Sequence, residues 1–191
     1  MSGLKLDPVC SALVLVDYQA RLMPSIAGAE AAVAEAVFLA RVAHALGVPV
    51  VGTEQNPPGL GPNVDEVRSL CESTLPKMHF DATADGLVDV LRAGVRPLTQ
   101  VVVAGCEAHV CLLQTALGLV AAGLQVAVVP EACGSRRPSD KALAMQRLEW
   151  AGATLVSAEM VAFEWLQTCR SPNFKAVLQL IKQRPLPAAP A

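Results

Sequence analysis

Hydrophobic positions fall into short continuous runs separated by longer mixed stretches, and the two alternate from one end of the chain to the other. Ser11–Val16 (SALVLV) is an uninterrupted apolar run that stops at the polar Asp17-Tyr18-Gln19, the pattern of a strand buried on both faces. Ala27–Leu46 is rich in Ala and Leu with charges interspersed and predicts a helix, stopped by Gly47, before a strand over Val48–Val51. Glu54–Pro62 (EQNPPGLGP) is too rich in Pro and Gly for either element. A helix is predicted over Ala84–Ala93 and a strand over Leu98–Ala104, closed by Gly105. Val110–Ala122 is apolar almost all round and predicts a helix in the core or at a subunit interface. Strands follow at Gln125–Val129 and Thr154–Ser157, flanking a helix over Ser139–Ala151 with Ser139 as N-cap and Gly152 as C-cap residue. Helices over Ala158–Gln167 and Pro172–Lys182 complete the pattern, and Arg184–Ala191 (RPLPAAPA) is expected to be disordered.

Continuous rather than alternating apolar strands, each followed by a helix, imply a parallel sheet covered on both faces. Ligands bind such sheets beyond the carboxyl ends of the strands. The polar residues that matter are therefore Asp17 and Gln19, Glu54 and Gln55, and the Gly105–Cys111 segment.

Composition sharpens this picture in a few places. The 191 residues fit one domain, and 53% are hydrophobic, with a mean hydropathy of +0.43. Apolar surface in that excess is expected to be buried against another subunit, in a homodimer or higher homo-oligomer. A net charge of −2 with 17% charged residues leaves no electrostatic footprint for nucleic acid or an anionic membrane. Met1–Pro8 lacks an apolar secretory core, and no apolar run approaches the ~20 residues of a membrane span. The six cysteines are too scattered for a disulfide scaffold, so a cytoplasmic protein with mostly buried, reduced thiols is expected.

Candidate chemistry lies where strands end. A carboxylate at Asp17 follows a buried run and can act as a base in a partly desolvated crevice, or simply cap a turn. Cys111 lies at the predicted start of the helix Val110–Ala122, where the helix dipole and free N–H groups favour a thiolate, unless it only packs in the core. Lys77 alone reads as a surface lysine. Cys106, His109 and Cys111 match no usual metal-ligand spacing, and no phosphate-binding glycine loop is present.

In order, the motifs Val16-Asp17-Tyr18-Gln19, Thr53-Glu54-Gln55, Gly59-Leu60-Gly61-Pro62, Leu75-Pro76-Lys77 with Phe80, and Gly105-Cys106-Glu107-Ala108-His109-Val110-Cys111 resemble the isochorismatase-like hydrolases. Ala132-Cys133-Gly134-Ser135-Arg136 and Pro172-Asn173-Phe174-Lys175 extend the resemblance, which covers residues 10–183, with an N-terminal extension at 1–9 and the tail at 184–191. It implies a three-layer Rossmann-like α/β fold with a six-stranded parallel sheet. It also implies a catalytic triad: Asp17 as base, Cys111 as nucleophile toward a carbonyl carbon, and Lys77 as orienting cation. The backbone N–H groups of Glu107 and Cys111 would form the oxyanion hole, with a cis peptide joining Cys106 to Glu107. Gln19, Gln55, Phe80 and Ala108 are the candidate substrate-pocket residues. No cofactor and no metal are expected, because Glu54-Gln55-Asn56 stands where the nicotinamidases of the family carry Asp and His ligands. Cys111 argues against vinyl-ether hydrolysis, and Ala108 stands where many relatives have Thr. The resulting expectation is a hydrolase cleaving a C–N bond of a small amide through a thioester. The alternative is a weak or inactive hydrolase fold acting as a binding or scaffold partner, the two being separated by whether the Cys111 thiol has a depressed pKa.

Overall fold

β1 (Ser11–Val16) is buried along its whole length and forms parallel ladders on both sides, with β2 (Val50–Gln55) and β4 (Gln100–Gly105). The computed structural model that shows this describes residues 5–94 and 97–184. β3 (Ser73–Lys77) adds to β2 at one edge; β5 (Gln125–Val128) and β6 (Thr154–Leu155) extend the sheet beyond β4. The order is β3-β2-β1-β4-β5-β6, all parallel, as the six-stranded expectation requires. Strand order reverses between β1 and β4, and a crevice opens at such a point beyond the carboxyl ends.

Hydrophobic patterning alone misses β3. Its sequence, STLPK, is polar at both ends and contains Pro76, which an edge strand tolerates because one side of its ladder needs no partner. β2 also runs past its predicted end at Val51, because Thr53 and Gln55 are buried and bonded within the protein.

α1 (Ala29–Leu46) packs with α7 (Ala158–Leu166) and α8 (Phe174–Gln183). α5 (Leu113–Ala121) packs with α6 (Pro138–Trp150). Two single turns, α2 (Pro57–Leu60) and α3 (Asp65–Arg68), lie in the segment between β2 and β3, so the Pro/Gly-rich loop carries one helical turn. α4 (Leu87–Arg92) is shorter than predicted, since Gly86 separates it from a 3₁₀ turn at Ala82–Asp85. Gly47 caps α1 in the left-handed conformation as expected. Ser139 is not the cap of α6: Pro138 takes the first helical position, which makes Arg137 the N-cap. The C-cap is Ala151, with Gly152 one residue beyond it at φ 95°.

The expectation of a disordered tail fails at its first residue. Arg184 pairs with Glu35 at 2.8 Å and stacks on the Phe38 ring at 4.6 Å. The rest of that tail, 185–191, lies outside the described residues, as do 1–4. Leu6, in the N-terminal extension, is buried and donates its N–H to Glu164. Among the described residues, no helix is long and apolar enough to cross a membrane.

Candidate active site

Asp17 is the first residue past β1 and is fully buried, with φ 54°, a backbone conformation uncommon for a residue that carries a Cβ. It is held from β2: its N–H donates to Thr53 O at 3.2 Å, and Thr53 Oγ1 donates to Asp17 Oδ1 at 2.6 Å. From the end of β3 the Lys77 ammonium comes to 2.8 Å from Asp17 Oδ2, with neither side chain exposed. That contact is an ion pair outside hydrogen-bonding angles, and Oδ2 receives no hydrogen bond from any described residue.

Gln55 connects these groups to the cysteine. Its Nε2 donates to Met78 O at 2.8 Å, which turns Oε1 toward Lys77 Nζ at 2.7 Å and Cys111 Sγ at 3.9 Å. Gln19 is buried and works one layer further back. It bonds both backbone groups of Gln55 and also Gly61 O, so its part is to hold Gln55 rather than to face a ligand. Glu54 accepts the Asn63 N–H. Among the described residues no group of three His, Cys, Asp or Glu is arranged to hold a metal.

The strand carrying Lys77 continues into Met78 and Phe80, which are 66% and 52% exposed. Their backbone is fixed. Asp85 accepts the Met78 and His79 N–H groups, and Thr115 Oγ1 donates to Phe80 O. The His79 N–H and its ring hold the Asp85 carboxyl below its usual range.

The other wall comes from β4. At Gly105 the backbone passes so close to β1 that a Cβ would lie 2.3 Å from Val16 O. The Cys106–Glu107 peptide is cis, as the resemblance implies. Beyond it the chain makes a π-helical turn over Ala108–Leu112 that runs directly into α5, so Cys111 lies in the first turn of a continuous helical segment, in π rather than α geometry. Such π turns recur at functional sites. Ala108 is buried, and its N–H donates to Gly134 O at 2.7 Å. The Glu107 N–H meets no acceptor among the described residues. The Glu107 carboxylate is neutralised by Arg136, whose backbone N–H and Nε both donate to Oε2.

The expected depression of the Cys111 pKa is not found. Burial, then the Asp17 carboxylate, push the thiol up to about 12, and Lys77 pulls it only partly back. The cysteines at 10, 71, 106, 111, 133 and 169 are all free, with 106, 111 and 133 buried.

The geometry therefore unites Asp17, Lys77, Gln55 and Cys111, and places Gln19 behind them. Two participants, Thr53 and Arg136, have no role in the sequence reading. The parallel register pairing Val16 with Thr53 is the signal that finds the first, since it sets Thr53 beside Asp17. Nothing local reveals Arg136, which is joined to Glu107 across 29 residues.

Comparison with known proteins identifies the family. Residues 11–160 match the isochorismatase domain model. Isochorismatase domain-containing protein 2A of Mus musculus is 35% identical over 188 residues, covering 94% of this chain and 86% of its own. The Homo sapiens isochorismatase domain-containing protein 2 is 37% identical over 179 residues, covering 92% and 85%. The solved structure of MAR1 ribonuclease from Caenorhabditis elegans superposes with a TM-score of 0.87 at 30% identity, covering 97% of this chain and all of the other. The octameric YcaC gene product of Escherichia coli, a hydrolase of unknown specificity, gives a TM-score of 0.84 at 26% identity over 95% of this chain and 91% of that one. Fold, motif order and relatives converge, and this chain belongs to the isochorismatase family.

Proposed function

We propose that the protein is a cysteine hydrolase that cleaves a C–N bond of a small amide-type substrate through a thioester on Cys111. The observation that carries the reading is the buried Asp17 carboxylate, paired with the Lys77 cation at 2.8 Å and close enough to the Cys111 thiol to raise its pKa. Asp17 takes the thiol proton as Sγ attacks the carbonyl carbon. The carbonyl electrons move onto oxygen, where the Glu107 and Cys111 N–H groups stabilise the charge. Collapse expels the amine, which leaves with the proton from Asp17. Water then attacks the thioester and gives its proton to Asp17, which returns it to the departing sulfur. One amide and one water become an acid and an amine. Lys77 holds Asp17 in register throughout, and its charge favours the anionic forms. Gln55, Phe80 and Ala108 are the residues we assign to the substrate wall, with Gln19 supporting Gln55.

The raised thiol pKa withholds the support that a depressed one would give the hydrolase over a binding role. The hydrolase reading rests instead on a buried carboxylate and cation beside the thiol, with the base taking the proton during attack. The worm relative is called a ribonuclease. Here a net charge of −2 supplies little attraction for a phosphate backbone, so small amides are the substrates proposed. The free cysteines support a reducing, cytoplasmic setting, and the octameric bacterial relative supports a homo-oligomer.

The test is ammonia release across a panel of small amides, with RNA included, alongside intact-mass detection of an acyl adduct. Turnover of an amide with an adduct on Cys111, both lost in Cys111→Ala, is expected. Equal turnover by Cys111→Ala would dispose of the covalent route.

A further inference from the structure

The inner side of α6, formed by Ala144, Met145 and Leu148, is buried against the rest of the fold. Its outer side carries Asp140, Leu143, Arg147 and Trp150, recurring at intervals of three, four and three residues. That is the spacing of a seam between two packed helices. Leu143 is 63% exposed, and Trp150, at 86%, is the most exposed large apolar side chain among the described residues. Two such residues two turns apart on one face have no use in folding the isolated chain. Beside them is a notch of about 180 Å³, walled by His109, Leu113, Asp140, Leu143, Ala144 and Arg147.

We infer that this face of α6 is an interface between two copies of the chain, with the helices antiparallel about a two-fold axis. The proposal specifies the oligomer reading given above and is independent of the catalytic one. Charge sets the direction. Parallel helices would oppose Asp140 to Asp140 and Arg147 to Arg147, whereas antiparallel helices bring Asp140 beside Arg147 of the partner subunit at both ends. A two-fold axis produces that exchange twice with a single surface. The same crossing, centred between Leu143 and Ala144, sets Trp150 level with Arg137 of the partner subunit, about one turn outside the partner's Asp140. A long helical side chain leans back toward its own N-terminus, here toward the notch. The indole then enters the notch, a buried aromatic anchor of the kind that carries interface energy. Two helical turns are a small share of a standard interface of about 1,600 Å², so this contact dissociates on dilution unless others join it. The notch walls His109 and Leu113 border Cys111 in sequence, so the indole braces the turn that bears the nucleophile.

Sedimentation velocity of the full chain over a concentration series tests the proposal. The wild-type protein is expected at twice the 20.0 kDa chain mass or an even multiple of it. Trp150→Glu and Leu143→Arg should each lower that mass by at least half, with circular dichroism unchanged. Asp140→Arg alone and Arg147→Asp alone should do the same, since each places like charges across the seam, and mixing those two variants should restore association. A wild-type chain that stays monomeric removes both the oligomer and this interface. An assembly that survives in all four variants keeps the oligomer and overturns this interface, and dissociation without recovery on mixing rejects the antiparallel pairing.

Discussion

At Cys111 two neighbours pull the thiol in opposite directions, which makes the site's electrostatics measurable one residue at a time. Asp17 raises the thiol pKa and Lys77 lowers it. Asp17→Asn should therefore speed alkylation of Cys111 by iodoacetamide at pH 8–9, while amide turnover falls by about 10²–10⁴-fold as the base is lost. Lys77→Met should slow alkylation. A faster reaction in Lys77→Met would reverse the assignment of the cation. The buried pair also bears on folding. Removing Lys77 leaves an unpaired buried carboxylate, which typically costs about 3–5 kcal/mol. Urea unfolding should show that loss in Lys77→Met and a smaller one in Asp17→Asn/Lys77→Met, where no charge remains unpaired.

Among the elements, β1 and β4 matter most because their ends define the crevice, and Gly105 sets how closely they meet. A methyl at Gly105 would sit 2.3 Å from Val16 O and 2.6 Å from Val16 Cβ, with backbone on one side and a central strand on the other. Neither can give way cheaply. Gly105→Ala should lower unfolding free energy by about 3 kcal/mol or more, at or beyond the upper end of overpacking effects, and should displace the Glu107 N–H. Chemical denaturation with activity measured on the folded fraction checks both parts. Wild-type stability in Gly105→Ala would mean the two strands separate freely.

For the whole molecule, buried thiols link stability to pH. Burial pushes Cys133 from 9.0 up to about 12 and Cys71 up to about 11, and it raises Tyr18 well above its ordinary value. The folded state thus keeps protons that the unfolded chain releases. Below about pH 9 both states hold them and the contribution is full and flat. As pH rises from about 9 toward 12, only the unfolded state ionises and stability falls, by up to about 1.4 kcal/mol per pH unit for each fully buried thiol. Thermal unfolding from pH 7 to 10.5 should show a plateau and then a decline, and Cys133→Ala should make the decline shallower. A melting temperature independent of pH over that range would count against buried, protonated thiols.

The alternation of buried strands and helices, the crevice at their carboxyl ends and the motif order were all legible in one dimension. Each follows from local hydrophobicity, or from residues only a few positions apart. The edge strand β3 was not legible from its own pattern, because a strand that shares one ladder and is half exposed has little hydrophobic signature. The Asp17–Lys77–Gln55–Cys111 contacts depend on four separate strand ends arriving together. The Cys111 pKa turned on burial and on the Asp17 charge, neither of which its neighbours in sequence reveal. What the sequence determined alone was the set of groups and the order in which the chain presents them. Only the tertiary structure decided their distances and the water around them, and the energy of a charge varies with both.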